Sequence, residues 1–127
     1  MERQTEDRTD SSRGTASSIR PRLKVQIEGT EPFFGPGVRK LLLYIQSEGS
    51  VREACVKMGL SYSKGRRLLD RAERELGYRI VERSPGGKNG GGAHVSEAGL
   101  QLLEKYERLE RELTEEAEEK FREIFEH

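Results

Sequence analysis

A run of hydroxyl-bearing and cationic side chains is the part of this sequence best suited to binding chemistry. It reads Ser-Tyr-Ser-Lys-Gly-Arg-Arg from Ser61 to Arg67. Hydroxyl and ammonium groups donate hydrogen bonds to phosphate oxygens, and a guanidinium can donate two parallel hydrogen bonds to guanine. This combination suits double-stranded DNA, a polyanion that also displays base edges. The residues predicted to contact DNA from this part of the chain are Ser61, Tyr62, Ser63, Lys64, Arg66, Arg67 and Arg71.

A second group of candidate contacts lies in the glycine-rich run from Pro85 to Gly92, which contains Lys88 and Asn89. Glycine lets a backbone approach its ligand closely, so we expect these two side chains to lie along the DNA backbone or to reach the minor groove. The run does not predict a phosphate loop for nucleotides. Lys88 is not followed by the Ser or Thr that would hold magnesium, and no Gly-x-Gly-x-x-Gly spacing occurs.

Side chains able to catalyse a reaction or hold a metal are few. His94 and His127 are the only histidines, and Cys55, the only cysteine, falls on a predicted buried helical stripe. Neither a metal cage nor a nucleophile with its base is indicated. We therefore expect no enzymatic activity, no metal site and no cofactor.

Charge is distributed unevenly along the chain, although the total is zero. Between Pro36 and Gly92 there are 12 basic and 6 acidic residues, a net charge of +6. From Ala93 to the end there are 5 basic and 11 acidic residues, a net charge of −6. This asymmetry indicates a polyanionic partner for the basic part alone, and a chance dipole of solvated faces is the alternative.

Three helices are predicted to position the basic run, over residues 36 to 47 or 48, 51 to 58, and 62 to 76. Serine caps and terminal glycines mark the second and third of them, at Ser50, Gly59, Ser61 and Gly77. The apolar face of the third helix consists of Gly65, Leu68, Leu69, Ala72 and Leu76. Ser63 and Arg67 therefore lie on its outward side, and Gly65 is expected to permit a close contact with the second helix.

The predicted strands complete a recognisable order of elements. Leu23 to Glu28 alternates apolar and polar residues and predicts a half-buried strand, followed by a loop from Gly29 to Gly37. Arg79 to Ser84 and Ala93 to Val95 predict the two strands of a hairpin. The fold class expected is mainly α with a small β-hairpin wing, a winged helix-turn-helix whose third helix enters the major groove.

A last helix is predicted from Ser96 to about Glu126. Its apolar residues recur at spacings of three and four, as in a short coiled coil. A helix with one narrow apolar stripe needs a partner surface, and we favour a second copy of the chain over the helix packing back on its own domain. The residues predicted in this homodimer interface are Leu102, Tyr106, Leu109, Leu113, Ala117 and Ile124.

These expectations divide the chain into a disordered tail at 1–20, a winged helix-turn-helix DNA-binding domain at 21–95 and a long dimerisation helix at 96–127. The start of the sequence lacks the apolar segment of a signal peptide. No run of 18 uncharged apolar residues is present, so no membrane span is expected. We expect a cytoplasmic protein.

Several segments resemble the amino-terminal domain of the molybdate-responsive ModE regulators. They are Ser47-Glu48-Gly49-Ser50, Ala54, Met58-Gly59-Leu60-Ser61-Tyr62 and the glycine-rich stretch from Arg83 to Ser96. The run from Val95 to Gly99 is similar to the Leu/Val-Ser/Thr-Glu-Ala-Gly order of the related LysR-type regulators. The resemblance implies a dimeric DNA-binding transcriptional regulator, with the third helix and wing on DNA and the last helix in the dimer.

The sequence departs from that family in one respect. ModE regulators bind molybdate in carboxy-terminal domains, whereas this sequence ends after one helix, so we expect no molybdate site in it. The alternative function is a protein-interaction adaptor that uses the acidic last helix and binds no DNA. The basic half of the third helix favours DNA binding over this alternative.

Overall fold

A computed structural model describes residues 19–84 and 92–126 of the chain. Over these residues the fold is mainly helical, with two small antiparallel hairpins and a long final helix, which confirms the predicted fold class. The elements in chain order are β1 (Ile27–Glu28), β2 (Pro32–Phe34), α1 (Pro36–Glu48), α2 (Val51–Met58), α3 (Tyr62–Leu76), β3 (Val81–Arg83), β4 (Ala93–Val95) and α4 (Glu97–Phe125).

Local signals in the sequence set the ends of the first three helices. Each of them is followed by a glycine in the left-handed region, with φ of 71° at Gly49, 70° at Gly59 and 83° at Gly77. At the start of α2 the Ser50 hydroxyl accepts a hydrogen bond from a backbone N–H at 3.1 Å, and Ser61 does the same for α3 at 3.1 Å. The predicted caps and helix ends are therefore confirmed.

The core is built from β2, the apolar stripes of α1, α2 and α3, the inward residues of the second hairpin (β3 and β4, the predicted wing) and the first half of α4. Its largest fully buried side chains are Tyr106, Phe34, Leu41, Leu42, Ile45, Leu69, Ile80 and Cys55. Residues Lys24–Glu110 form one compact unit, and the described residues outside that range belong to a second. The unit thus includes the part of α4 up to Glu110, beyond the predicted domain end at residue 95.

Tyr106 belongs to this core and not to an exposed stripe. Its side chain is 1% exposed, its hydroxyl donates to the Val25 carbonyl at 2.6 Å, and its ring meets Phe34 edge to face at 4.9 Å. The prediction that placed Tyr106 in a dimer interface is wrong for this residue, because its own domain already uses both the ring and the hydroxyl. Leu103, which the predicted stripe omitted, is buried on the same side of α4.

The first hairpin differs from its prediction. The strand expected from Leu23 to Glu28 is reduced to β1, and its partner β2 lies in the segment predicted as a loop. The expected alternation is nevertheless present, since Val25 and Ile27 are half-buried against the core. The Val25 carbonyl accepts its hydrogen bond from Tyr106 instead of a neighbouring strand, so the ladder stops short.

Gly65 is the point at which α3 passes closest to α2. A Cβ atom built there would overlap the Sγ atom of Cys55, which confirms the close contact expected at this glycine. Cys55 is 1% exposed, and burial raises the pKa of its thiol. The thiol is therefore a packed apolar group between the two helices.

We expect Gly65→Ala to lower the free energy of unfolding by about 1–3 kcal/mol through overpacking, although alanine favours a helix by about 1 kcal/mol. Adding Cys55→Ala should restore most of that loss, because the nearest remaining atom, the Cβ of residue 55, lies 3.9 Å away. Urea unfolding followed by circular dichroism measures both effects.

Gly37→Ala is the matched control for this pair, since no atom lies within 4 Å of the Cβ that it adds to α1. It should leave the stability unchanged or raise it slightly. A Gly65→Ala variant as stable as the wild type would contradict the packing described.

Candidate nucleic-acid interface

The outward side of α3 is a solvent-exposed basic surface. Ser63, Lys64 and Arg67 are exposed, while the opposite side is buried at Gly65 and Leu69. Within the described parts of the chain, the side chains of Lys64 and Arg67 form no hydrogen bond or ion pair. Their charge is therefore available to a ligand.

The other predicted contacts of α3 are partly engaged with the protein. Ser61 caps the helix and is exposed. Arg66 lies with its Nη1 atom 3.5 Å from the Tyr62 hydroxyl. The Nε atom of Arg71 lies 3.6 Å from a carboxylate oxygen of Glu31, in the turn between β1 and β2. Arg71 is thus the one member of the predicted set, among the described residues, that pairs with an acidic side chain.

The wing strands lie beside the turn between α1 and α2. β3 and β4 pair antiparallel, with Arg83 opposite Ala93, and the Ser84 N–H donates to the Gly92 carbonyl at 2.9 Å. The Ala93 N–H donates to the Gly49 carbonyl, also at 2.9 Å, which docks the wing on the helical core. The predicted contacts Lys88 and Asn89 lie outside the described residues.

Two side chains tie the wing to the helices on either side of it. The Glu73 carboxylate of α3 accepts hydrogen bonds from the N–H groups of Ile80 and Val81, at 2.8 and 3.1 Å. The Ser96 hydroxyl donates to the Arg79 carbonyl at 2.8 Å and accepts from the Gly99 N–H at 3.0 Å. These bonds hold α3, the wing and the start of α4 in one arrangement.

Close packing of α4 against the wing requires glycine at position 99. A Cβ atom at this position would lie 2.6 Å from the Ile80 carbonyl oxygen and 2.7 Å from a Val95 methyl group. Real Cβ atoms do not approach a carbonyl that closely, so only glycine lets α4 pass this near to the wing.

A cleft of about 670 Å³ opens between the start of α2, Tyr62 and the base of the wing. Arg52 and Arg83 line it, and both were absent from the predicted site. Arg52 stands in the first turn of the helix that follows the tight turn, and Arg83 is the last residue of a wing strand. Those positions are the signals that would have identified them.

Apart from Tyr106, which is buried, the residues predicted on the α4 stripe fall into two groups. Leu109, Leu113 and Ile124 are 43%, 39% and 65% exposed, whereas Leu102 and Ala117 are half-buried.

No helix among the described residues is long and apolar enough to cross a membrane. Nor do three potential metal ligands gather anywhere in that part of the chain.

The described residues define a winged helix-turn-helix domain. It consists of α1, α2 and α3, with the outward side of α3 exposed, and of the docked hairpin β3–β4. The same fold occurs in the crystal structure of a CbnR_DBD–DNA complex. That match has a TM-score of 0.51 and 23% sequence identity, and it covers 68% of this chain and 92% of the other.

Sequence comparison shows which winged-helix proteins this chain is similar to. The chain is 34% identical over 77 residues to the transcriptional regulator ModE of Yersinia pestis, covering 61% of this chain and 29% of that protein. It is 34% identical over 79 residues to ModE of Haemophilus influenzae, covering 62% of this chain and 31% of the relative. It is also 34% identical over 92 residues to the molybdenum-pterin-binding protein MopA of Rhodobacter capsulatus, covering 72% and 34%.

The chain thus spans about a third of the length of these curated relatives. No protein-family model matches the sequence. The described domain is a ModE-like winged helix, as the resemblance in the sequence indicated.

Proposed function

We propose that this chain is a sequence-specific DNA-binding transcriptional regulator. The observation that carries the proposal is the outward side of α3, where Ser63, Lys64 and Arg67 are exposed and form no ion pair with any described residue. In a helix-turn-helix this side of the helix enters the major groove, where side chains contact base edges. The glycine-rich wing then lies on the DNA backbone or in the minor groove.

The proposal includes a homodimer formed through α4. Its support is the pair of exposed leucines at 109 and 113, which two antiparallel or parallel copies of the helix would cover. A dimer places the α3 helices of the two copies on one face of the DNA, separated by about 34 Å or a multiple of it. The operator should then be an inverted repeat.

The proposal concerns the winged helix that the chain shares with its relatives, and it includes neither catalysis nor a molybdate site. A regulator of this kind works where the chromosome is, so the proposed location is the cytoplasm. Selection from a random pool of duplex DNA tests the function directly. The wild-type chain should enrich a palindromic sequence, and failure to enrich any sequence would contradict sequence-specific binding.

Arg67→Ala should cost about 1–3 kcal/mol of binding free energy on the selected operator and relax the preference at one base pair. The reason is that Arg67 is exposed on the outward side of α3 and free to bind a base edge. Lys88→Ala in the wing serves as the comparison. As the loss of a phosphate contact, it should weaken all sequences alike.

Competition binding with operator duplexes that carry single base changes measures both variants. If the two variants weaken every duplex by the same factor, the assignment of α3 to the major groove is wrong.

A further inference from the structure

An arginine–tyrosine contact joins α2 to α3 at the edge of the proposed DNA interface. The guanidinium carbon of Arg52 lies 4.3 Å from the centroid of the Tyr62 ring, well within the range of a cation–π interaction. Arg52 is exposed and Tyr62 is half-buried, with its ring packed against the core. The ring is therefore held by packing against its own domain, and the Arg52 side chain lies at the surface.

This contact keeps the charge of Arg52 available. Arg52 lines the same cleft as Glu48 and Glu53, yet among the described residues it forms no ion pair with either carboxylate. Arg39, by contrast, is engaged with the Glu107 carboxylate at 2.8 Å. A guanidinium that stacks on an aromatic face retains its N–H groups for a phosphate.

Tyr62 lies beside two arginines, Arg52 on α2 and Arg66 on α3. Its ring supports Arg52 on α2, its hydroxyl oxygen lies 3.5 Å from Nη1 of Arg66, and the Arg66 guanidinium is 5.9 Å from the ring centroid. Arg83, the second arginine of the cleft, lies at the base of the wing. Arg52 thus stands between the recognition helix and the wing, beside the path that a DNA strand follows between them.

We propose that Arg52 binds a DNA phosphate and that Tyr62 is a positioning residue, which holds the Arg52 guanidinium at the DNA surface instead of contacting DNA itself. This inference rests on the proposed function. It revises the sequence-based prediction for Tyr62, and it adds Arg52 to the phosphate contacts.

The test is a double-mutant cycle on binding to the selected operator, measured by fluorescence anisotropy over a salt series. Arg52→Ala should lower the affinity about tenfold and reduce the salt slope by about one for each bound domain. Tyr62→Leu should cause a similar loss, because the arginine is no longer supported. Tyr62→Phe, which keeps the ring, should change the affinity by less than about twofold.

In an Arg52→Ala background, Tyr62→Leu should have little further effect, since its role passes through the arginine. Arg122→Ala, which removes the same charge from an exposed position in the last turn of α4, is the matched control and should preserve the affinity. Thermal unfolding of each variant verifies that the domain is folded.

Three results would overturn the inference while leaving the proposed function intact. They are unchanged operator affinity in Arg52→Ala, equal losses in Tyr62→Phe and Tyr62→Leu, and a full loss from Tyr62→Leu in the Arg52→Ala background. A wild-type chain that binds no DNA at all would instead refute the proposed function.

Discussion

The affinity of the wild-type chain for duplex DNA should fall about a thousandfold when the salt concentration rises from 50 to 200 mM. The physical reason is that each phosphate neutralised by a cation releases condensed counterions, which gives a slope of log affinity against log salt of about −0.9 per contact. About six contacts in a dimer account for the expected fall. Basic side chains free of ion pairs with the described residues, such as Lys64, are the source of these contacts.

Fluorescence anisotropy with a labelled random duplex measures this dependence without knowledge of the operator. The slope obtained with a random duplex reports the phosphate contacts alone, and comparison with the operator then separates them from base contacts. A flat salt response would refute DNA binding and favour the adaptor alternative. The acidic α4 would then be the part of the chain to test against protein partners.

The second large effect concerns the homodimer. Replacing Leu109 and Leu113 by glutamate should produce monomers that bind the operator about a hundredfold more weakly, since the two half-sites are no longer held together. Both leucines are exposed on the described chain, at 43% and 39%. The winged domain should stay folded, because its core uses Leu103 and Tyr106 from α4 and neither of the substituted leucines.

Leu100→Glu is the matched control, since Leu100 is also exposed, at 37%, on the opposite side of α4 from Leu109. The two leucines are nine residues apart, and at about 100° per residue this separation turns one of them half a revolution about the helix axis from the other. The control should remain a dimer and keep its affinity. Sedimentation velocity distinguishes the two states. A wild-type chain that sediments as a monomer at tens of micromolar would refute the dimer and, with it, the palindromic operator.

The helices and the basic outward side of α3 were predictable because their signals are local. Serine caps, terminal glycines and a period of 3.6 residues act within a few positions of one another, and the ends at Gly49, Gly59 and Gly77 follow from them. The surface of a single helix also follows from its own sequence. For that reason the sequence predicts Ser63 and Arg67 on the outward side of α3, where both are exposed.

The remaining features depend on contacts between distant parts of the chain. A helical stripe has the same spacing whether it packs on its own domain or on a second copy, so periodicity alone could not assign Tyr106 to the core. β2 has only three residues and forms because β1 lies beside it. The position of Arg52 in the first turn of α2 indicates that it is near DNA, but its contact with the Tyr62 ring on another helix cannot be read from the sequence of α2.

The first part of α4 belongs to the core of the winged helix, and this determines where the domain can be cut in protein engineering. A cut after Val95 would remove the donor to the Val25 carbonyl and the partner of the Phe34 ring, both supplied by Tyr106. It would also remove the Ser96 hydroxyl, which donates to the Arg79 carbonyl. A chimera that transfers the winged helix to a different oligomerisation module must therefore carry α4 as far as Glu110, where the compact unit ends, with the foreign helix joined in register after it.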